Sequence, residues 1–599
     1  MKKTIILIFL VVIFLSSIIP SLSIKSDSRV EVSDLFVEIP KDSWSRAPVK
    51  TVYLPVVFGN LNPNKEVSIK SVEILNKDKQ SLVEEKVDIR LKTVYNFAKS
   101  KDEIRNLLGI DLPTVEELDT AKGILIEADK TNDRSKRNML VEEAWQKLKY
   151  KPSDKNPDTY TESEQKLSNL LYTKLIEVDL TRIKKDIQEE DYVPITVRIN
   201  FEVGNTLYQV EEQTYLFYLN SLPARSGWYP GDGHIHTQGL SFYPDRDDNP
   251  SDYIGNFENY GFSDATDSST ILVRRNQANS FGYKWIIVTD HAGDWSQTHQ
   301  PRLEPDEWSI YNQACTRATN YYSPNITVCP GEELATKEYN FFDSTNSGHL
   351  LSYANSSYAA SYGTCQDLIN RANQAGGFGI IAHPYANPWV NWDNWDVSGF
   401  RGLEIISNQT AYYSENAVSK WDSLLTNNLQ GIISGRYPKI IGMANSDVHN
   451  STSSAWGKNM NYIYTGSSTP PGTNRYAVYN ALKEGRVSAS LDGSLAVFSL
   501  NGYAPGSIVN VNPGANNISI TVSGKCVSIN YPYIFVNVYS NNGAEVLSDS
   551  FYDYDTDFTK TYYFTATSDC YYRVVVTFKN QYGETGGCCL VNPVYVNLP

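Results

Sequence analysis

Residues 227–237, GWYPGDGHIHT, end a bulky run on the pair His234 and His236. In a strand, residues i and i+2 point to the same face, so this HxH aims two imidazoles at one point. Asp447-x-His449 repeats the device at the end of KIIGMANSDVH, residues 439–449. His291 closes WIIVTDH (285–291) and His383 stands in GFGIIAHP (377–384). Both apolar runs read as buried strands. His349 lies in SGHLLSY (347–353), and Glu333 in GEEL (331–334). Six of the seven histidines therefore occupy short polar motifs, and only His299 does not. Neutral imidazole is the commonest side-chain metal ligand, so one cause fits the clustering: a hydrolytic multi-metal centre. Ligands emitted from the C-terminal ends of several parallel strands describe the mouth of an α/β barrel. That is the fold expected of the central region.

The order HxH, TDH, G-x-E, GH, AHP, SDxH resembles the PHP (polymerase and histidinol phosphatase) family of metal-dependent phosphoesterases. SKWDSLLTNN (419–428), leading toward SDVH, and the ending YYRVVV…NPVYV resemble its carbaryl-hydrolase-like branch. The resemblance covers 228–495 firmly and 496–599 loosely, and it implies a distorted (β/α) PHP-type barrel. It also implies that His234, His236, Glu333 and Asp447 hold a first metal. Glu333 would bridge to a second, completed by His349 and His383, and His291 with His449 would belong to a third site. The family pattern adds a further third-site ligand after the HxH. Here that stretch reads TQGLSFYPDRDD, where Asp245, Asp247 and Asp248 are candidates. Glu332 adjoins Glu333, and the G-x-E spacing favours Glu333 as the bridge. Asp232 and Asp290 are read as acceptors that fix imidazole orientation behind the ligands.

Two or three divalent ions in such a site polarise the substrate oxygen and lower the pKa of a bound water, so the water itself attacks. Zn, Mn and Fe all suit mixed His and carboxylate ligands. The sequence carries no GxSxG elbow and no P-loop. A secreted metal-dependent phosphoesterase acting on a small-molecule ester is therefore the leading expectation. A metal-dependent carboxylic ester, amide or carbamate hydrolase is the alternative. A non-catalytic surface or carbohydrate-binding protein is a third reading, which the complete ligand set disfavours. Arg246, Arg274, Arg275 and Arg401 are the nearby candidates for phosphate contact.

Residues 1–23 start MKK, run through IILIFLVVIFL and end Ser21-Leu22-Ser23. This reads as a secretory signal, with an uncleaved N-terminal tether as the alternative, and places the protein outside the cell or at its surface. The net charge of −15 opposes capture of nucleic acid. No CxxC occurs among the seven cysteines. Cys526, Cys570, Cys588 and Cys589 are candidates for two disulfides in an oxidising compartment, and Cys315–Cys329 for another. Sequons stand at Asn325, Asn355, Asn408, Asn450 and Asn517.

The expected organisation is multidomain α/β plus β. After the signal, residues 24–225 read as a β-sandwich from runs such as TVYLPVVFG and YVPITVRINFEV. A charge-rich helical insertion at about 96–168 interrupts it, opened by a Thr114…Glu117 capping box. The insertion reads as a solvated decoration, with partner binding as the alternative. Residues 226–495 form the barrel, with helices at NRANQAGG, ENAVSKWDSLLTNN and RYAVYNALKEGRV. The tryptophans of NPWVNWDNWD (387–396) read as packing, or as a rim for substrate. From 496 to 599, NISITVSG, YIFVNVYS and YYRVVVTF alternate as strands of a second β-sandwich.

Overall fold

The computed structural model describes residues 34–96, 98–108, 114–148, 170–237, 270–292, 305, 307–320, 326–336, 348–359, 363–385, 391–407, 414–449, 451, 455–514 and 516–598. The signal-like segment, Asp245, Arg246, Asp247, Asp248, His299, Trp389 and the sequons at Asn325, Asn408 and Asn450 lie outside these residues.

The N-terminal strands form two sheets. Leu35–Glu38, Thr51–Asn60 and Tyr172–Asp179 make an antiparallel three-stranded sheet. The second runs in the order Ser43–Arg46, Thr206–Leu219, Asp191–Val203, Val67–Leu75, Ser81–Leu91. Strict alternation places Val197, Ile199, Phe201 and Val203 inside and Arg198, Asn200 and Glu202 outside. The inward residues share one core with Val52, Leu54 and Val56 of the other sheet.

The helices Val115–Lys130 and Arg134–Leu148 start from the Thr114–Glu117 capping box, whose two reciprocal hydrogen bonds are both present. They are not a solvated decoration. Ala121, Leu125, Val141, Ala144 and Trp145 enter the core that holds Trp44, Phe281, Tyr283 and Trp456. Trp145 meets Trp44 edge-on at 5.8 Å. The hairpin is wedged between the first sheets and the central unit because its apolar face is spent there.

The expected central barrel of parallel strands is not what the chain builds. Trp228–Ile235, Trp285–Val288 and Thr327–Ala335 are parallel neighbours. His349–Tyr353 then runs antiparallel to both its partners, Thr327–Ala335 and Phe378–Ile381. Gly402–Ile406 and Ile441–Ala444 add parallel pairs beyond. On the other flank Met460–Tyr464 and Val487–Leu491 are antiparallel, and Val487–Leu491 pairs with Thr585–Asn597. The ladder continues through Cys570–Lys579 and Tyr533–Ser540 to Ala544–Tyr552. The result is one mixed sheet of fifteen strands that joins the central and C-terminal regions. Its far edge returns to the other flank through the backbone bridge of Ile235 to Val448, and through the Asn461 and Asn592 side chains, which bond both ways to the backbone of Ala444 and Gly442. Strand outweighs helix along the chain, so the architecture is mostly β.

A three-stranded sheet of Leu495–Leu500, Ile518–Lys525 and Asp557–Phe564 covers the C-terminal part of the large sheet. Phe498, Ile520 and Val522 pack there with Val536, Phe578 and Val591. All seven cysteines are buried free thiols, so none of the expected disulfides is formed. Strand alternation separates Cys588 from the other three C-terminal cysteines, which share one core. Cys588 faces the core of the helix Glu415–Ile433, while Cys589 faces that of the C-terminal sheets. Cys315 and Cys329 likewise lie in different cores.

The helix Glu415–Ile433 is locked to Cys570–Lys579 by a buried ion pair. Arg573 donates to both Asp422 oxygens at 2.6 Å, and the Tyr571 hydroxyl donates to one at 3.0 Å. Removing one partner of such a pair strands a buried charge, at a cost of about 3–5 kcal/mol. Asp422→Ala should therefore lower unfolding stability by about that amount in denaturant titration, and Asp422→Leu combined with Arg573→Met should recover most of it. Equal loss in single and double variants would contradict the assignment.

Candidate metal centre

The site forms where strands end. His234 and His236 leave the Trp228–Ile235 strand on one side, and their Nε2 atoms lie 3.1 Å apart. His291 pairs in register with Glu333 on the neighbouring strand. His349 begins the antiparallel strand opposite Ala335, where Thr327–Ala335 ends. Reversal of that strand thus brings its first residue to the end where its neighbours finish. His383 follows Phe378–Ile381, and Asp447 and His449 follow Ile441–Ala444. All eight expected residues are buried, none more than 7% exposed.

Glu333 is the centre of the array. One oxygen, Oε2, lies 3.0 Å from His234 Nε2, 3.2 Å from His236 Nε2 and 3.5 Å from His291 Nδ1. The other, Oε1, lies 2.9 Å from His349 Nδ1 and 3.2 Å from His383 Nε2. Asp447 Oδ1 approaches His234 and His236 at 3.2 and 3.3 Å, and His449 Nδ1 at 3.4 Å. Three groups have ligand atoms close enough to share an ion: His234, His236, Glu333 and Asp447; His291, Glu333 and His349; and His236, His291 and His449.

The donors and acceptors around His234 decide whether these residues fit a cation. His234 Nδ1 faces Glu404 Oε1 at 3.0 Å, so the neutral ring places its proton there and its lone pair on Nε2. That lone pair then meets Glu333 Oε2, Asp447 Oδ1 and His236 Nε2 within 3.0–3.2 Å. Acceptors converging in a water-poor site repel unless a positive charge joins them. A divalent cation would supply that charge, and the donor set fits one. Burial opposes charging of His234, yet Asp447, Glu333 and Glu404 hold its pKa well above the usual range. His383 is raised too, against burial, by its contact with Glu333 and the charge of Asp447. Burial works against ionised Glu333, and the imidazoles of His234, His291 and His349 more than reverse it, leaving its pKa well below normal.

Backbone strain marks two positions. His383 has φ +22° and Asp447 has φ +50°. Non-glycine residues there cost about 1–3 kcal/mol each and persist where surrounding structure imposes them.

Glu332 points elsewhere. It accepts from Asn355 Nδ2 at 2.7 Å and from the Ala359 amide at 3.0 Å. This contact also buries the Asn355 side chain, which is 7% exposed at the residue level, and closes that sequon to a glycan. Asp232 accepts from the His234 and Ser446 amides rather than from a ring, and burial raises its pKa to about 7. Asp290 accepts from the Thr237 amide and hydroxyl at 2.6 and 2.8 Å and from Tyr311 at 3.2 Å. Both carboxylates brace the backbone around the HxH. A further carboxylate, Glu404 in the strand GLEII (402–406), is seated on His234 Nδ1, and sequence reasoning missed it. Its signal was a lone acid inside an apolar run. Among the expected phosphate contacts, Arg274 donates through Nε to the His236 carbonyl at 2.9 Å, and Arg401 stands at the opposite end of its strand. Trp392 packs in the core against Gly348, and Tyr385 stacks on Trp395 at 6.0 Å.

No family model and no curated protein matches this chain. Solved structures with detectable similarity include a β-glucuronidase from Parabacteroides merdae, at 8% identity over 94% of this chain and 65% of that one, TM-score 0.16. Another is β-glucuronidase 3 from Bacteroides uniformis, at 6% identity, 94% and 63% coverage, TM-score 0.17. A third is a putative β-galactosidase from Bacteroides fragilis, at 9% identity, 94% and 74% coverage, TM-score 0.15. The chain spans less than two thirds of the two β-glucuronidases. Likeness at these scores carries no argument about fold or chemistry. No helix among the described residues is long and apolar enough to cross a membrane.

Two outcomes follow from the geometry. Glu333→Ala should lower the zinc count measured by elemental analysis, since both oxygens lose their role. Glu332→Ala should leave that count intact and cost about 1–3 kcal/mol of stability by stranding the Asn355 and Ala359 donors. Exchange of the two phenotypes would place the bridge one residue away. The raised His234 and His383 values also set a pH dependence. They contribute stability to the metal-free protein that is full below the unfolded histidine pKa, about 6.5, and is lost as pH rises through the folded values. Metal must displace those protons. Zinc affinity should therefore keep rising with pH beyond the ordinary histidine range, with proton release seen by calorimetry in buffers of different ionisation enthalpy. Affinity that is flat with pH would contradict this.

Proposed function

We propose that this protein is a metal-dependent hydrolase, with phosphoesters of small molecules as the leading substrates and two or three divalent ions as cofactors. The observation that carries the reading is Glu333, a single buried carboxylate with imidazoles on both oxygens. That is the arrangement of a ligand shared by two ions. His234, His236 and Asp447 would hold one ion with Glu333, and His349 and His383 the other. His291 and His449, with His236, make the further group. When bound, paired divalent ions supply Lewis acidity and a water of lowered pKa.

The chain's own residues set the rest. Strand ends fix the ligands to one point, and Asp232 and Asp290 hold the backbone that presents the HxH. Behind the cluster, Glu404, Asn445 and Asn461 are buried as well. The ordered motifs, like those of the PHP phosphoesterases, support a phosphoester over a neutral carboxyl ester or carbamate. The signal-like N-terminus supports action outside the cell.

A hydrolysis screen of zinc- and manganese-loaded protein tests this reading. Aryl phosphate mono- and diesters should be turned over, chelators should stop the reaction, and His383→Ala should lower the rate by at least about 100-fold, the scale of losing an essential electrostatic group. Turnover confined to aryl acetates or carbamates would replace the phosphoester assignment, and no turnover of any ester with metal in place would overturn the enzyme assignment.

A further inference from the structure

Glu404 stands between the two halves of the cluster. Its Oε1 faces His234 Nδ1 at 3.0 Å, and its Oε2 accepts the backbone amide of His383 at 2.7 Å. Its orientation is fixed from behind. Asn445 Oδ1 accepts from the Gly233 amide at 3.0 Å and from Asn461 Nδ2 at 2.8 Å. With its oxygen so engaged, Asn445 must turn its amide nitrogen to Glu404 Oε1, and the contact is 2.7 Å. Glu404, Asn445 and Asn461 are all essentially inaccessible to solvent.

Two consequences follow. Glu404 Oε1, which already accepts from Asn445, faces His234 Nδ1 as an acceptor, so Nδ1 carries the proton and Nε2 keeps its lone pair for the cluster. The bond from the His383 amide ends on the same carboxylate, at a residue whose φ is +22°, a conformation that needs an external hold. We propose that Glu404 is the positioning residue of the whole centre. Through its two oxygens it selects the tautomer of a ligand on one side of Glu333 and pins the strained backbone of a ligand on the other. This rests on the metal-binding reading given above.

The test is zinc binding by competition with a chromophoric chelator, with full-length wild type, Glu404→Gln and Glu404→Ala. Outer carboxylates of this kind are worth about 10–100-fold in metal affinity. Glu404→Gln, nearly isosteric, should lose affinity on that scale for both ions, and Glu404→Ala more. Thermal unfolding of the metal-free variants reports folding separately. Nitrogen NMR of histidine-labelled, zinc-loaded wild type supplies a measurement that needs no variant: His234 should be protonated on Nδ1. Unchanged zinc affinity in a folded Glu404→Gln, or a His234 protonated on Nε2, would overturn this inference alone. Failure of wild type to bind zinc would instead overturn the metal-binding reading, and this inference with it.

Discussion

The structure turns on one demand: a buried carboxylate, Glu333, must have each of its oxygens met by positive charge. Imidazoles approach Oε2 from His234, His236 and His291 and Oε1 from His349 and His383. An isolated acid so deeply buried would take up a proton. Here the surroundings drive it the other way. Six separate segments must end at one point to achieve this, and the large sheet exists to deliver them there.

Delivery has a conformational cost. His383 and Asp447 adopt positive φ at the points where their strands leave the sheet. What holds them is hydrogen bonding across the site. The His383 amide rests on Glu404, and the segment after Asp447 is tied to the HxH by the His236 amide on the Val448 carbonyl at 3.0 Å. Distant parts contribute rigidity. The helical hairpin fills the space beside Phe281 and Trp456, and Arg573 clamps the Glu415–Ile433 helix to the C-terminal strands.

The gathering of these residues was legible because strand-end histidines declare themselves locally: i and i+2 share a face, and an apolar run before a polar motif marks a strand. The direction of a strand does not show that way. HLLSY reads the same in a parallel or an antiparallel place, and its reversal is part of what breaks the expected barrel. Pairing of Val487–Leu491 with Thr585–Asn597, which makes one sheet of two regions, depends on contacts far apart in sequence. Glu404 was hidden because one acid among GLEII carries no spacing signal. The cysteines misled because adjacency in sequence, as in Cys588 and Cys589, means opposite faces in a strand.

The most direct measurement is anomalous diffraction from crystals of the protein loaded with zinc, collected on both sides of the zinc absorption edge. Two strong anomalous peaks should flank the Glu333 carboxylate, one among His234, His236 and Asp447 and one beside His349 and His383. Crystals that take up zinc only at surface residues, with no peak beside Glu333, would contradict this.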